Sequence, residues 1–85
     1  MTVPKHGPWR AHVVLHDVTE RQIDEMADAD GEVLDAVIVR LSLDHGIGTR
    51  VEGKLEWEYR GGRVRVVYIP SVVGTIILVA YVEVG

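Results

Sequence analysis

Apolar and polar positions change period twice along the 85-residue chain. From Arg10 to Val18, Ala11, Val13 and Leu15 alternate with His12, Val14 and His16, which predicts a first strand with one apolar face. Thr19 followed by Gln22 has the spacing of a capping box, and Ile23, Met26 and Ala27 then recur at helical intervals. A short helix is therefore expected from Thr19 to Ala29, ending near Asp30-Gly31. The next segment fits two templates. Val33, Leu34, Val37, Ile38 and Leu41 form a helical stripe, with Asp30 as a cap and Asp44-His45-Gly46 as a glycine stop. Val37, Val39, Leu41 and Leu43 also alternate as a strand would, and β-branched residues suit that alternative. The helical reading is preferred, because a strand would leave one short helix to cover the sheet; the strand stays open.

The second half is extended. Gly61-Gly62 is the dipeptide that a type I′ hairpin turn requires. With those two residues as the loop, Arg60 faces Arg63, Tyr59 faces Val64, Glu58 faces Arg65, Trp57 faces Val66 and Leu55 faces Tyr68. One face then carries Leu55, Trp57, Tyr59, Val64, Val66 and Tyr68 as a core layer. The other carries Lys54, Glu56, Glu58, Arg60, Arg63 and Arg65. Pro70 to Gly74 reads as a second turn. Thr75 to Val84 is apolar on both faces, which predicts a strand that is central or covered on both sides. The expected fold class is α+β: an N-terminal strand and one or two helices packed on a C-terminal antiparallel β-meander. Residues 1–9 are expected to form a flexible arm and 10–85 a single domain.

Composition narrows the chemistry. A hydrophobic content of 47% is that of a globular chain, and the absence of cysteine excludes disulfides and thiolate metal sites. His6, His12, His16 and His45 lack zinc-motif spacing, so no metal and no cofactor is expected. The longest apolar stretch, Thr75 to Val84, is about half the ~20 residues that span a bilayer, and the N-terminus lacks a signal-peptide pattern. A cytoplasmic protein without membrane contact is expected. The formal net charge of −4 argues against nonspecific attachment to nucleic acid, but the charges are uneven. Asp17 to Asp35 holds eight acids against Arg21 alone, whereas Arg50 to Arg65 holds five bases against three glutamates. An acidic helical side and a mildly basic sheet side follow.

Two segments carry a family resemblance. Gly62-Arg63-Val64-Arg65-Val66-Val67-Tyr68, followed after a turn by Gly74-Thr75-Ile76-Ile77-Leu78-Val79, resembles the glycine, tyrosine-arginine, apolar pair, tyrosine pattern of the RelE/ParE superfamily of toxins. Upstream, Gly53-Lys54-Leu55-Glu56-Trp57-Glu58-Tyr59-Arg60 is similar to the corresponding strand of the phage-type HigB members. The resemblance spans residues 32–82. It implies a small toxin of a toxin–antitoxin pair, or a protein derived from one, with an antitoxin protein as partner and ribosome-bound mRNA as target. It further implies endoribonuclease activity, with Arg65 contacting the phosphate, Glu58 as base, and Lys54, Arg60 and Arg63 positioning RNA. Where some members carry lysines on the preceding strand, this chain has Glu56 and Glu58. Where family nucleases place a basic, histidine or tyrosine residue after the last strand, this chain has Tyr81-Val82-Glu83-Val84. Those departures favour the alternative of a non-catalytic protein-interaction or inhibitor module on the same fold. The residues alone also allow a plain reading in which Arg65 pairs with Glu58 on a solvated face.

Overall fold

The computed structural model describes residues 10–85; the expected arm at 1–9 lies outside them. The order is β1 (His12–Leu15), α1 (Asp17–Asp24), α2 (Asp28–Leu43), a short 3-10 helix (His45–Ile47), β2 (Thr49–Arg50), β3 (Trp57–Gly61), β4 (Val64–Pro70) and β5 (Ile76–Val84). The strands form one sheet in the order β1-β5-β4-β3-β2. β1 runs parallel to β5, and β3, β4 and β5 form the antiparallel meander. Both helices cover the same face, over a core of Leu34, Val37, Leu41, Val64, Val66, Tyr68, Ile77, Val79 and Val82. The α+β class is as expected, and β5 is an interior strand between β1 and β4.

The ambiguous segment is helical. Leu34, Val37 and Leu41 are 1%, 3% and 0% exposed, so burial of that stripe against the sheet overrides the strand preference of its β-branched residues. Its caps differ from expectation. Ala27, not Asp30, precedes α2, and the helix ends at Asp44 in extended backbone (φ −157°) instead of a left-handed glycine. Asp44 Oδ1 accepts from the Gly46 N–H at 3.0 Å and starts the 3-10 helix.

The capping box is also replaced. His16 caps α1, its Nδ1 accepting from the Val18 N–H at 3.1 Å. Thr19 is buried inside the helix and donates from Oγ1 to the Val79 carbonyl at 3.0 Å. Gln22 donates to the Val82 carbonyl at 2.8 Å and accepts from the Val82 N–H at 2.9 Å. The reason is the length of β5: β1 pairs only with Ile76 to Val79, and the edge beyond it needs other partners for its backbone groups.

The hairpin loop is Gly62-Arg63, one residue later than expected. Gly61 pairs with Val64, Arg60 with Arg65, Tyr59 with Val66, Glu58 with Val67 and Trp57 with Tyr68. Gly62 alone has positive φ (+56°), the pattern of a type II′ turn. Gly61 serves another purpose: a Cβ there would lie 2.7 Å from Val37 Cγ2, so α2 approaches the sheet over it. Sliding the loop by one residue changes each partner by two, and the strand faces survive. Leu55 does not belong to that core. It is 73% exposed in the irregular 51–56 segment, and Lys54 and Glu56 also fall outside β3.

Candidate functional site on the open face of the sheet

The face of the sheet away from the helices presents His12 and Val14 of β1, Glu58 and Arg60 of β3, Arg65, Val67 and Ile69 of β4, and Leu78, Tyr81 and Glu83 of β5. Pairing puts Arg60, Arg65 and Glu83 in one row across three strands and Glu58, Val67 and Tyr81 in the next. Two like charges directly opposite, as Arg60 and Arg65 are, destabilise a strand pair. The carboxylates relieve this. Arg65 Nε donates to Glu58 Oε1 at 2.6 Å, diagonally across the pair, and its Nη1 donates to Glu83 Oε1 at 2.7 Å. Hydrogen bonds to Glu58, then Glu83 and Tyr81, hold the guanidinium even more firmly protonated than an ordinary arginine, against a smaller opposing effect of burial.

Of the five residues proposed from the sequence, the fold brings together Arg65, Glu58 and Arg60. Arg63 lies in the turn and reaches the helical side, where its Nε is 3.5 Å from Asp30 Oδ1 on α2. Lys54 sits in the exposed 51–56 loop beside Arg50, Glu56 and Ile69. Ile69 is four residues along β4 from Arg65, about 13 Å at the rise of an extended strand. Lys54 and Arg65 therefore occupy opposite ends of the strand pair.

No family model and no curated protein matches the sequence. Solved structures do match the fold. A chain of the toxin–antitoxin complex RelBE2 from Mycobacterium tuberculosis superposes with a TM-score of 0.79, at 16% identity, over 89% of this chain and 92% of that one. A chain of the intact Escherichia coli RelBE complex gives 0.75, at 14% identity, over 88% and 96%. A mutant of E. coli toxin RelE in the free state gives 0.72, at 13% identity, over 87% and 82%. The chain has the RelE fold. At these identities the likeness rests on shared architecture, namely two helices on one face of a mixed sheet whose meander is C-terminal.

Within this RelE fold, Glu83 is the contact that sequence reasoning missed. Strict alternation from Ile77 and Val79 assigns Tyr81 and Glu83 to the core face. A β-bulge prevents that. Val67 pairs with Tyr81 but Tyr68 pairs with Val79, so Ala80 is an extra residue in β5. Beyond it the parity reverses: Val82 turns into the core, and Tyr81 and Glu83 turn out towards Arg65. The available signal was the pair Val82/Glu83, whose apolar and charged characters fit only the reversed phase.

Proposed function

We propose that this protein is the toxin component of a toxin–antitoxin pair and that its open sheet face, centred on Arg65, cleaves mRNA bound to the ribosome. The observation that carries the reading is the 2.6 Å contact between Glu58 and Arg65 on the uncovered face of a RelE fold. In RNA cleavage the ribose 2′-hydroxyl attacks the adjacent phosphorus and the 5′-oxygen leaves, giving a 2′,3′-cyclic phosphate and a 5′-hydroxyl. Glu58 takes the 2′-hydroxyl proton. Arg65 stabilises the charge that builds on the phosphate oxygens, which its planar, permanently charged guanidinium suits. Arg60 lies opposite Arg65 and steadies the neighbouring phosphate, and Tyr81 is the hydroxyl beside Arg65 from which the leaving oxygen takes its proton. The neighbours' complexes with RelB support an antitoxin protein as the partner of this chain.

A second reading, a non-catalytic inhibitor on the same fold, is favoured by one observation: Arg65 is already held by two carboxylates. One experiment separates the readings. Wild type, Arg65→Ala and Glu58→Gln are expressed under matched conditions, and growth and mRNA cleavage on ribosomes are followed. The ribonuclease reading expects arrest and cleavage by wild type and a loss of about a hundredfold or more in each variant. It expects folding to persist, since a solvated ion pair contributes only ~0.2–1 kcal/mol. Arrest without cleavage supports the inhibitor. Cleavage equally fast in Arg65→Ala removes Arg65 from the mechanism.

A further inference from the structure

We infer that Glu83 guards Arg65: its carboxylate competes with a substrate phosphate for the guanidinium, and the site favours a phosphodiester that can displace it. This rests on the reading of the open face as the place where RNA binds.

A guanidinium offers its N–H donors in one plane, and two carboxylates already accept from Nε and Nη1 of Arg65. With Arg60 opposite, two guanidiniums and two carboxylates balance, so the closed group offers a phosphate no net attraction. These contacts use two of the five N–H donors, but an anion that reaches the others lies beside both carboxylates, so binding gains when one of them turns away. Glu58 is the less exposed of the two, its side chain at 39% against 57% for Glu83. Glu58 is also held in β3, within the strand pair, whereas Glu83 lies near the end of β5. Glu83 is therefore the carboxylate that yields. Once it turns to solvent, Arg65 faces outward beside Arg60, which makes no ion pair among the described residues. The pair then fits a phosphodiester, with Glu58 still in place beside it.

The consequence is selectivity for an RNA strand anchored elsewhere. A free phosphate or a short oligonucleotide must displace Glu83 with a single contact. A strand held by a larger platform does so at a high effective concentration.

The test follows the backbone amide resonances of β4 and β5 around position 65, which every variant retains, while inorganic phosphate, and separately a short single-stranded RNA, are titrated into the intact protein. Wild type is compared with Glu83→Gln, with Glu52→Gln as an equal change of charge in the exposed 51–56 loop, and with Arg65→Gln. Glu83→Gln should bind both ligands about two- to fivefold more tightly than wild type, the range that loss of an exposed ion pair supports. Glu52→Gln should leave affinity unchanged, and Arg65→Gln should abolish the gain when combined with Glu83→Gln. Thermal melts confirm that each variant is folded. Affinity in Glu83→Gln that is equal to or below wild type, or a gain matched by Glu52→Gln, overturns the inference. The outcome is independent of catalysis. Tighter binding at Arg65 with no mRNA cleavage by wild type leaves the guard standing and removes the ribonuclease. Cleavage by wild type with unchanged affinity in Glu83→Gln does the reverse.

Discussion

Replacing Tyr68 by phenylalanine removes a single oxygen from a side chain that is 0% exposed. That oxygen donates to the His45 carbonyl, so it ties the 3-10 helix after α2 to the middle of the sheet. Trp57 packs between the two aromatic groups, its ring centroid 6.2 Å from that of His45 and 6.4 Å from that of Tyr68. Phenylalanine keeps the ring packing and leaves a half-buried carbonyl without its donor, at a cost of about 1–3 kcal/mol. For a domain of this size each kcal/mol lowers Tm by roughly 4–8 °C. The pH dependence gives a sharper test. Burial pushes the Tyr68 phenol from 10.0 up to about 12. The neutral form is the one the fold favours, so this contribution is complete below pH 10, falls as pH rises towards 12 and is gone above it. A change of that size corresponds to roughly 3 kcal/mol. Urea denaturation of both proteins from pH 8 to pH 11.5 measures the difference, in which distant titrating groups cancel. The advantage of wild type over Tyr68→Phe should shrink steadily above pH 10. A constant difference across that range, or a difference under about 0.5 kcal/mol at pH 8, would show that the hydroxyl is not held as described.

Gly62→Val places a β-branched residue at φ +56° and should destabilise by about 1–2 kcal/mol in a chemical denaturation curve; an unchanged midpoint would move the turn elsewhere. Gln22→Leu keeps the bulk of the side chain and removes both hydrogen bonds to Val82. It should cost about 1–3 kcal/mol and accelerate hydrogen exchange at the Val82 amide more than at Val66, its neighbour across the strands.

The strand faces were legible because they depend only on a period of two. Trp57, Tyr59, Val64, Val66 and Tyr68 share the inner face as the alternation requires, although the loop lies one residue later. What failed was each point where a distant element decides a local choice. Gly61-Gly62 reads as a turn from its own chemistry, yet the inner of the two glycines answers to Val37 on α2. Thr19 and Gln22 read as a capping box, yet both are drawn to an edge of β5 some 60 residues away. Arg63 shares its parity with Arg65 and would share its face on a continued strand, but the turn carries it round to Asp30. The candidate site was legible as the pair Glu58 and Arg65, even though Glu58 is paired with Val67 and reaches Arg65 only diagonally. Its third member was hidden by the bulge.

That bulge connects the helical layer to the chemistry of the open face. An unbroken β5 would turn Tyr81 and Glu83 into the apolar core and expose Val82, and a carboxylate without a partner there would be strongly unfavourable. Inserting Ala80, whose side chain is small enough to sit at the irregularity, resolves the conflict and re-aims both residues outward. β1 pairs no further than Val79, so the other edge of β5 has no strand neighbour where the bulge occurs. Thr19 and Gln22 hold the backbone at Val79 and Val82, the two positions that bracket the bulge. α1 therefore fixes the phase of β5 from the covered side of the sheet, and the phase of β5 determines which side chain meets Arg65 on the open side. Without the bulge, Arg65 would face no carboxylate from β5 and would keep Glu58 alone as its ion-pair partner. With it, Glu83 meets Arg65, and under the proposed reading a helix on the far side of the sheet sets the terms on which that site binds an anion.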